Sequence, residues 1–171
     1  MTGNNPTDRS KLGTKRHILT DAKGIPLSAV ISSASTHDIK LVTDVVDNTI
    51  IKRSSSSSSL TKRSLSGKRK LQHLCLDKAY NSKTAKQEII RRGYVPHLPY
   101  KRKRGEIKTE TQKMPNRKKH PAARRWVVER TNSWHNRFRK LYTRYEKKAE
   151  NYLGLVQFSC CIIIYRKIIL G

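Results

Sequence analysis

His73-Leu74-Cys75-Leu76-Asp77-Lys78-Ala79-Tyr80 decides how this chain folds. Residues 73–76 make a short apolar run that stops abruptly at an acid. The pattern predicts a buried strand delivering Asp77 at its carboxyl end, where open α/β sheets gather ligands and reactants. The plainer alternative is an Asp that only begins the turn into the next helix, and position alone leaves both open. Asn81 or Ser82 is placed to cap a helix over residues 83–92, and Gly93 to stop it. Residues 95–98 read as a further short strand, broken by Pro96 and Pro99.

Upstream, residues 15–20 and 25–32 read as two strands joined by the tight turn Asp21-Ala22-Lys23-Gly24, with glycine placed for a positive φ. Before them, Gly3, Asn4, Asn5, Pro6 and Asp8 make residues 1–13 a loop. Thr36 is placed to cap a helix over residues 37–48, with Ile39, Val42, Val45 and Val46 at helical spacing. Six consecutive serines at 54–59, flanked by Lys and Arg, have nothing to bury and predict a flexible basic insert over about residues 52–70. Residues 101–120 are polar, basic and loop-like.

From Ala122 onward, Val127, Thr131, Trp134, Phe138, Leu141 and Tyr145 alternate steps of four and three, one apolar stripe on a long helix. A last helix from Asn151 is apolar nearly all round, which predicts burial. Hairpin, helix, strand, helix, strand, helix, helix is a mixed α/β order: one domain with a small sheet covered by helices.

Charge speaks for partners more than for fold. Against 38 Lys and Arg stand 12 Asp and Glu, a net of +26, and a phosphate backbone is the commonest counter-charge for so basic a body. Cys75, Cys160 and Cys161 are an odd count without CxxC spacing. They read as buried thiols in a reducing cytoplasm, neither disulfide framework nor zinc site. Gln157, Ser159, Arg166 and Lys167 interrupt the apolar stretch at 153–170, so a membrane span is not expected.

With so few acids, each one's placement matters. Glu129 lies off the apolar stripe, with Arg125, Asn132, Ser133, Asn136 and Lys140 around it. Alone it reads as an exposed Arg125–Glu129 pair of small consequence. A strand-end Asp, a helix-borne Glu and a cationic background together suit hard divalent ions with phosphate as a further ligand.

These residues reach a known pattern. Asn5-Pro6-Thr7-Asp8-Arg9 through Gly13-Thr14-Lys15-Arg16-His17 resembles the DDE transposases of bacterial insertion sequences, in the group numbered five. So do Leu76-Asp77-Lys78-Ala79-Tyr80, Arg125-Trp126-Val127-Val128-Glu129-Arg130-Thr131 and Arg144-Tyr145-Glu146-Lys147, four blocks in the family's order. The resemblance implies a ribonuclease H-like mixed sheet flanked by helices, and three acids binding two Mg2+ ions. Asp77 matches the second acid and Glu129 the third, both as catalytic and metal-binding residues. Lys78 and Tyr80 match the residues after the second acid. Lys15, Arg16, Lys78, Arg125, Arg130, Arg137 and Lys140 are the implied DNA contacts.

The first acid of that family sits on a central strand upstream of a segment like 5–13, so the sheet is expected to lack that strand and the chain to be inactive alone. Asp8 and Asp21 are the nearest substitutes, and an Asp in a tight turn is usually turn chemistry. DNA, as transposon ends and target, is the implied partner, in the cytoplasm at the nucleoid, and the resemblance admits a homodimer. A degenerate, catalytically inactive DNA-binding remnant is the alternative. An RNA-binding protein comes a distant third, because the aromatics fall on helical stripes and not on a sheet.

Overall fold

Turn chemistry sets the first half of the fold. In the computed structural model, which describes residues 2–6, 9–50, 72–98 and 126–170, Asp21 Oδ1 accepts from the Lys23 and Ile25 backbone N–H groups at 2.8 Å each. Gly24 follows at φ 84°, a left-handed conformation that glycine adopts without penalty. This turn joins β2 (Leu12–Thr20) to β3 (Pro26–Ser33) in antiparallel register from Thr14↔Ser33 to Thr20↔Pro26, with an irregularity at Leu19/Thr20. A two-residue strand, β1 (Gly3–Asn4), pairs with the start of β2.

After β3 the chain enters a 3-10 turn at Asp38–Leu41 and then α1 (Val42–Asp47). Thr36 does not cap it. His37 occupies that position and makes no capping bond, while the Thr36 carbonyl accepts from Lys15 Nζ at 3.2 Å. The serine-rich insert lies outside the described residues. β4 (Gln72–Cys75) and β5 (Tyr94–His97) are parallel, and α2 (Lys83–Arg91) makes the crossover that parallel strands require. Ser82 Oγ caps α2 by accepting from Ala85 N at 3.1 Å, and Gly93 at φ 77° follows its end.

The described strands form two sheets, β1-β2-β3 and β4-β5, where the sequence suggests one. Two apolar clusters bind them to the helices. Val42 and Val46 of α1, Leu74 of β4 and Ile89 of α2 form one, with Leu19 and Tyr80 packed against it. Ile31 of β3 forms the other with Leu141, Tyr152 and Val156. Leu19 and Ile31 sit on opposite faces of the hairpin, so α/β layering with helices on both sides follows from strand alternation.

Where one long helix is expected there are two, α3 (Trp126–Asn136) and α4 (Arg139–Tyr142). Phe138 is extended at φ −84°, ψ 107°, and this break turns its ring onto the Ile31 cluster. Tyr145, the stripe's last member, is 76% exposed. Residues 122–125 lie outside the described residues.

The final helix, α5 (Ala149–Ile168), corrects a second expectation. It buries Tyr152, Val156, Ser159, Cys160 and Ile163 along one face, yet leaves Phe158, Tyr165 and Ile168 exposed. Hydropathy counts its apolar residues, but the β3 and α4 side chains that pack on it, Ile31 and Leu141, cover only one face. Cys75 and Cys161 are likewise exposed, and only Cys160 is buried. No helix among the described residues is long and apolar enough to cross a membrane.

Candidate active site

Asp77 stands two residues past the last pairing of β4, Cys75 with His97. Leu76 N–H donates to the His97 carbonyl at 3.0 Å, and the Asp77 carbonyl accepts from Tyr80 N at 3.1 Å, closing a 3-10 turn at Lys78–Tyr80. Leu74 faces the α1–α2 core, so alternation sends His73 and Cys75 to the outer face, and the exposed Asp77 continues their row. Burial, then the charges of Asp38 and Asp77, push the Tyr80 phenol up to about 12. Asp38 is itself bound by Lys15 at 3.0 Å.

Glu129 projects from the first turn of α3 and is exposed, while Val127, Thr131 and His135 are buried on the helix's other side. Its helix is welded to the hairpin turn. Arg130 Nη2 donates to the Lys23 carbonyl at 2.6 Å and Thr131 Oγ1 to the Gly24 carbonyl at 2.7 Å. The Arg130 guanidinium stacks between Trp126 and Trp134, 4.8 and 5.1 Å from their centroids, and Lys167 Nζ lies 4.9 Å from the Trp134 ring. Spacing of four along a helix was the readable signal for this stack.

The Lys15–Asp38 pair beside Tyr80 and the Arg130 and Thr131 contacts to Lys23 and Gly24 thus lie at different ends of the hairpin. Among the described residues no three His, Cys, Asp or Glu side chains gather as a metal-binding group.

A family model for the transposase DDE domain matches residues 2–164. The chain belongs to that family. A putative transposase for insertion sequence element IS402 from Burkholderia cepacia is 30% identical over 164 residues, covering 96% of this chain and 68% of the relative. No solved structure matches.

Within this transposase-family chain the seven basic residues singled out from sequence fall into three groups. Lys15, Arg16 and Arg130 are engaged internally: Lys15 with Asp38 and Thr36, Arg16 Nη2 with Asn136 Oδ1 at 2.6 Å, and Arg130 with Lys23. Arg137 and Lys140 are exposed beyond α3 and on α4. Arg125 and the Lys78 side chain lie outside the described residues, as does Asp8. Asp21, the other substitute acid, spends one carboxylate oxygen on its own turn.

Sequence reasoning misses Asp38, which links Lys15 to the surroundings of Tyr80, and nothing local marks it. It also misses Arg144, whose Nη1 donates to Thr14 Oγ1 while its Nε and Nη2 bind the Glu146 and Lys147 carbonyls. Arg144 lies in the last of the four motif blocks, so that motif has a structural role, tying the α4–α5 connection to β2.

Proposed function

We propose that this chain acts as an insertion-sequence transposase, binding transposon-end and target DNA and cleaving and joining its strands once a further acid completes the catalytic set. Asp77 and Glu129 contribute two of the catalytic carboxylates. The observation that carries this reading is Asp77: an exposed acid at the carboxyl end of β4, in a chain matched to the DDE family over 2–164. The fold is read as ribonuclease H-like. Support comes from the order antiparallel hairpin, α1, β4, α2, β5 with helices on both faces; the described strands include none between β3 and β4.

Family members generally use a divalent metal, typically Mg2+, and carboxylate oxygens are the hard donors it prefers. Among the described residues Asp77 and Glu129 would be the donors for such an ion, which would supply charge stabilisation at the scissile phosphate. What the chain itself supplies is two carboxylates and exposed cations, Arg137 and Lys140, that neutralise phosphate charge and release its counterions. A protein so employed works at the nucleoid, and sedimentation of its DNA complex would report whether two copies act together.

The test is Mg2+-dependent nicking of a duplex carrying the element's ends, by the protein as the element encodes it. Nicking is expected to vanish in Asp77→Asn and in Glu129→Gln. Nicking that survives both would remove these residues from the chemistry. The absence of a three-ligand group among the described residues favours a second reading, a DNA-binding remnant without cleavage. It requires salt-dependent binding and no nicking by the protein as the element encodes it.

A further inference from the structure

The outer face of β4 and β5 carries an arrangement that strand cleavage does not use. Parallel register sets His73 opposite Val95 and Cys75 opposite His97. Since Leu74 points into the α1–α2 core, His73 and Cys75 share the other face, and the His97 ring reaches across to His73. His73 Nδ1 and His97 Nε2 lie 2.6 Å apart, with ring centroids at 4.8 Å and planes tilted by 49°. His73 is exposed and His97 half-buried, so the pair lies at the surface of the sheet.

Two imidazole nitrogens this close need one proton between them, and a metal ion can replace that proton. A tetrahedral ion binds imidazole nitrogen at about 2.0–2.1 Å, which places two such nitrogens roughly 3.4 Å apart. The rings need open by less than about 1 Å, and side chains at a sheet surface can do so by small χ rotations. The pair joins adjacent strands, so backbone hydrogen bonding has already fixed both Cα positions and little ordering remains to oppose binding.

We propose that His73 and His97 form a surface site for a borderline transition-metal ion of the Zn2+ class, with water completing its coordination. Imidazole selects such ions over Mg2+, and the Cys75 thiol beside His97 biases the face further the same way. The described residues gather no third ligand beforehand, so the site is an open two-histidine one. A bound ion would staple β4 to β5 immediately before Asp77 and stiffen the short parallel pair that presents this acid.

The probe is Zn2+ alone, titrated into the purified chain against a chromophoric chelator with Mg2+ in large excess, which silences carboxylate sites. One equivalent is expected to bind. His73→Ala and His97→Ala should each weaken it by roughly tenfold or more, whereas Cys161→Ser, at an exposed thiol on α5, should leave it unchanged. Far-UV circular dichroism verifies that the variants fold, and His73→Gln gives a milder second substitution. As an independent readout, Zn2+ should raise the thermal midpoint of the parent chain but not of His97→Ala. Failure of the parent chain to bind Zn2+, or parent-like binding by either folded alanine variant, overturns the site. Neither outcome bears on nicking by Asp77 and Glu129.

Discussion

Thr131 Oγ1 donates to the Gly24 carbonyl across 2.7 Å, joining residues 107 apart in sequence. The hydroxyl is fully buried, lies 3.2 Å from the Val127 carbonyl as well, and has one proton to share between the two. Here the acid-bearing helix is registered on the hairpin, two residues from Glu129. Thr131→Val keeps the shape and strands the Gly24 carbonyl, an expected loss of about 1–3 kcal/mol. Gly24→Ala strains the backbone at φ 84° and sets a methyl 3.1 Å from both Thr131 Oγ1 and Arg130 Nη2, an expected loss of at least about 1–2 kcal/mol. Urea unfolding of both variants and the double checks this. Because they break one weld, the double should fall short of the sum. A Thr131→Val stability within about 0.5 kcal/mol of the parent, as for a surface change, would sink the idea.

Acid should loosen the junction of α3 with α5. Ser159 Oγ donates to the Val156 carbonyl at 2.7 Å, so it accepts from His135 Nδ1–H, also at 2.7 Å, leaving Nε2 unprotonated and 3.8 Å from Cys160 Sγ. Burial first, then the Arg16 charge, pulls the His135 pKa down to about 4. The unfolded chain, at the ordinary 6.5, therefore binds this proton first, and stability rises with pH between those values. Above 6.5 the contribution is flat; as pH falls from 6.5 to 4, about 3 kcal/mol is progressively lost. His17, buried against Ser32 at 2.9 Å, is also shifted down by burial and adds to the same limb. Unfolding free energies from pH 7 to 4 should show this limb, and His135→Gln should flatten most of it. An unchanged slope in that variant would place the titration elsewhere.

What was legible in the sequence was whatever is decided locally. Asp21 and Gly24 wrote the hairpin turn, Ser82 capped α2, and the apolar run before Asp77 marked a strand end. The misreadings arose where distant partners decide. The stripe through Phe138 continues at helical spacing, yet the helix breaks there because the Ile31 cluster draws the ring away. Residues of α5 are apolar all round, but one layer of sheet and helix can cover only one face. The Asp38–Lys15 pair beside Tyr80 and the Thr131–Gly24 bond that registers the Glu129 helix join residues 23 and 107 apart, and no local pattern encodes those.

Thiol chemistry checks the α5 correction directly. Cys75 and Cys161 are exposed, while Cys160 is buried and its thiol is pushed up to about 11, mainly by burial. The thiolate is the reactive species, so Cys160 is doubly protected. Brief maleimide treatment of the native chain at neutral pH should add two labels by mass spectrometry, and treatment in denaturant all three. Fast labelling of all three in the folded chain would mean that α5 does not bury Cys160.

The exposed cations offer the last test. Arg137 and Lys140 hold no core together, so each is free to bind a phosphate, whereas Arg16 and Arg130 are occupied by Asn136 and Lys23. Each phosphate neutralised contributes roughly 0.9 to the slope of log affinity against log salt for duplex DNA. Arg137→Ala and Lys140→Ala should therefore each reduce that slope by about 1, weakening binding uniformly across sequences and leaving stability within about 0.5 kcal/mol. Arg130→Ala should behave in the opposite sense. It empties the space between two indoles and frees the Lys23 carbonyl, so the thermal midpoint should fall first and DNA affinity only through that loss. Binding and melting curves on the same three variants separate the two roles, and a Lys140→Ala slope equal to the parent's would take α4 off the DNA.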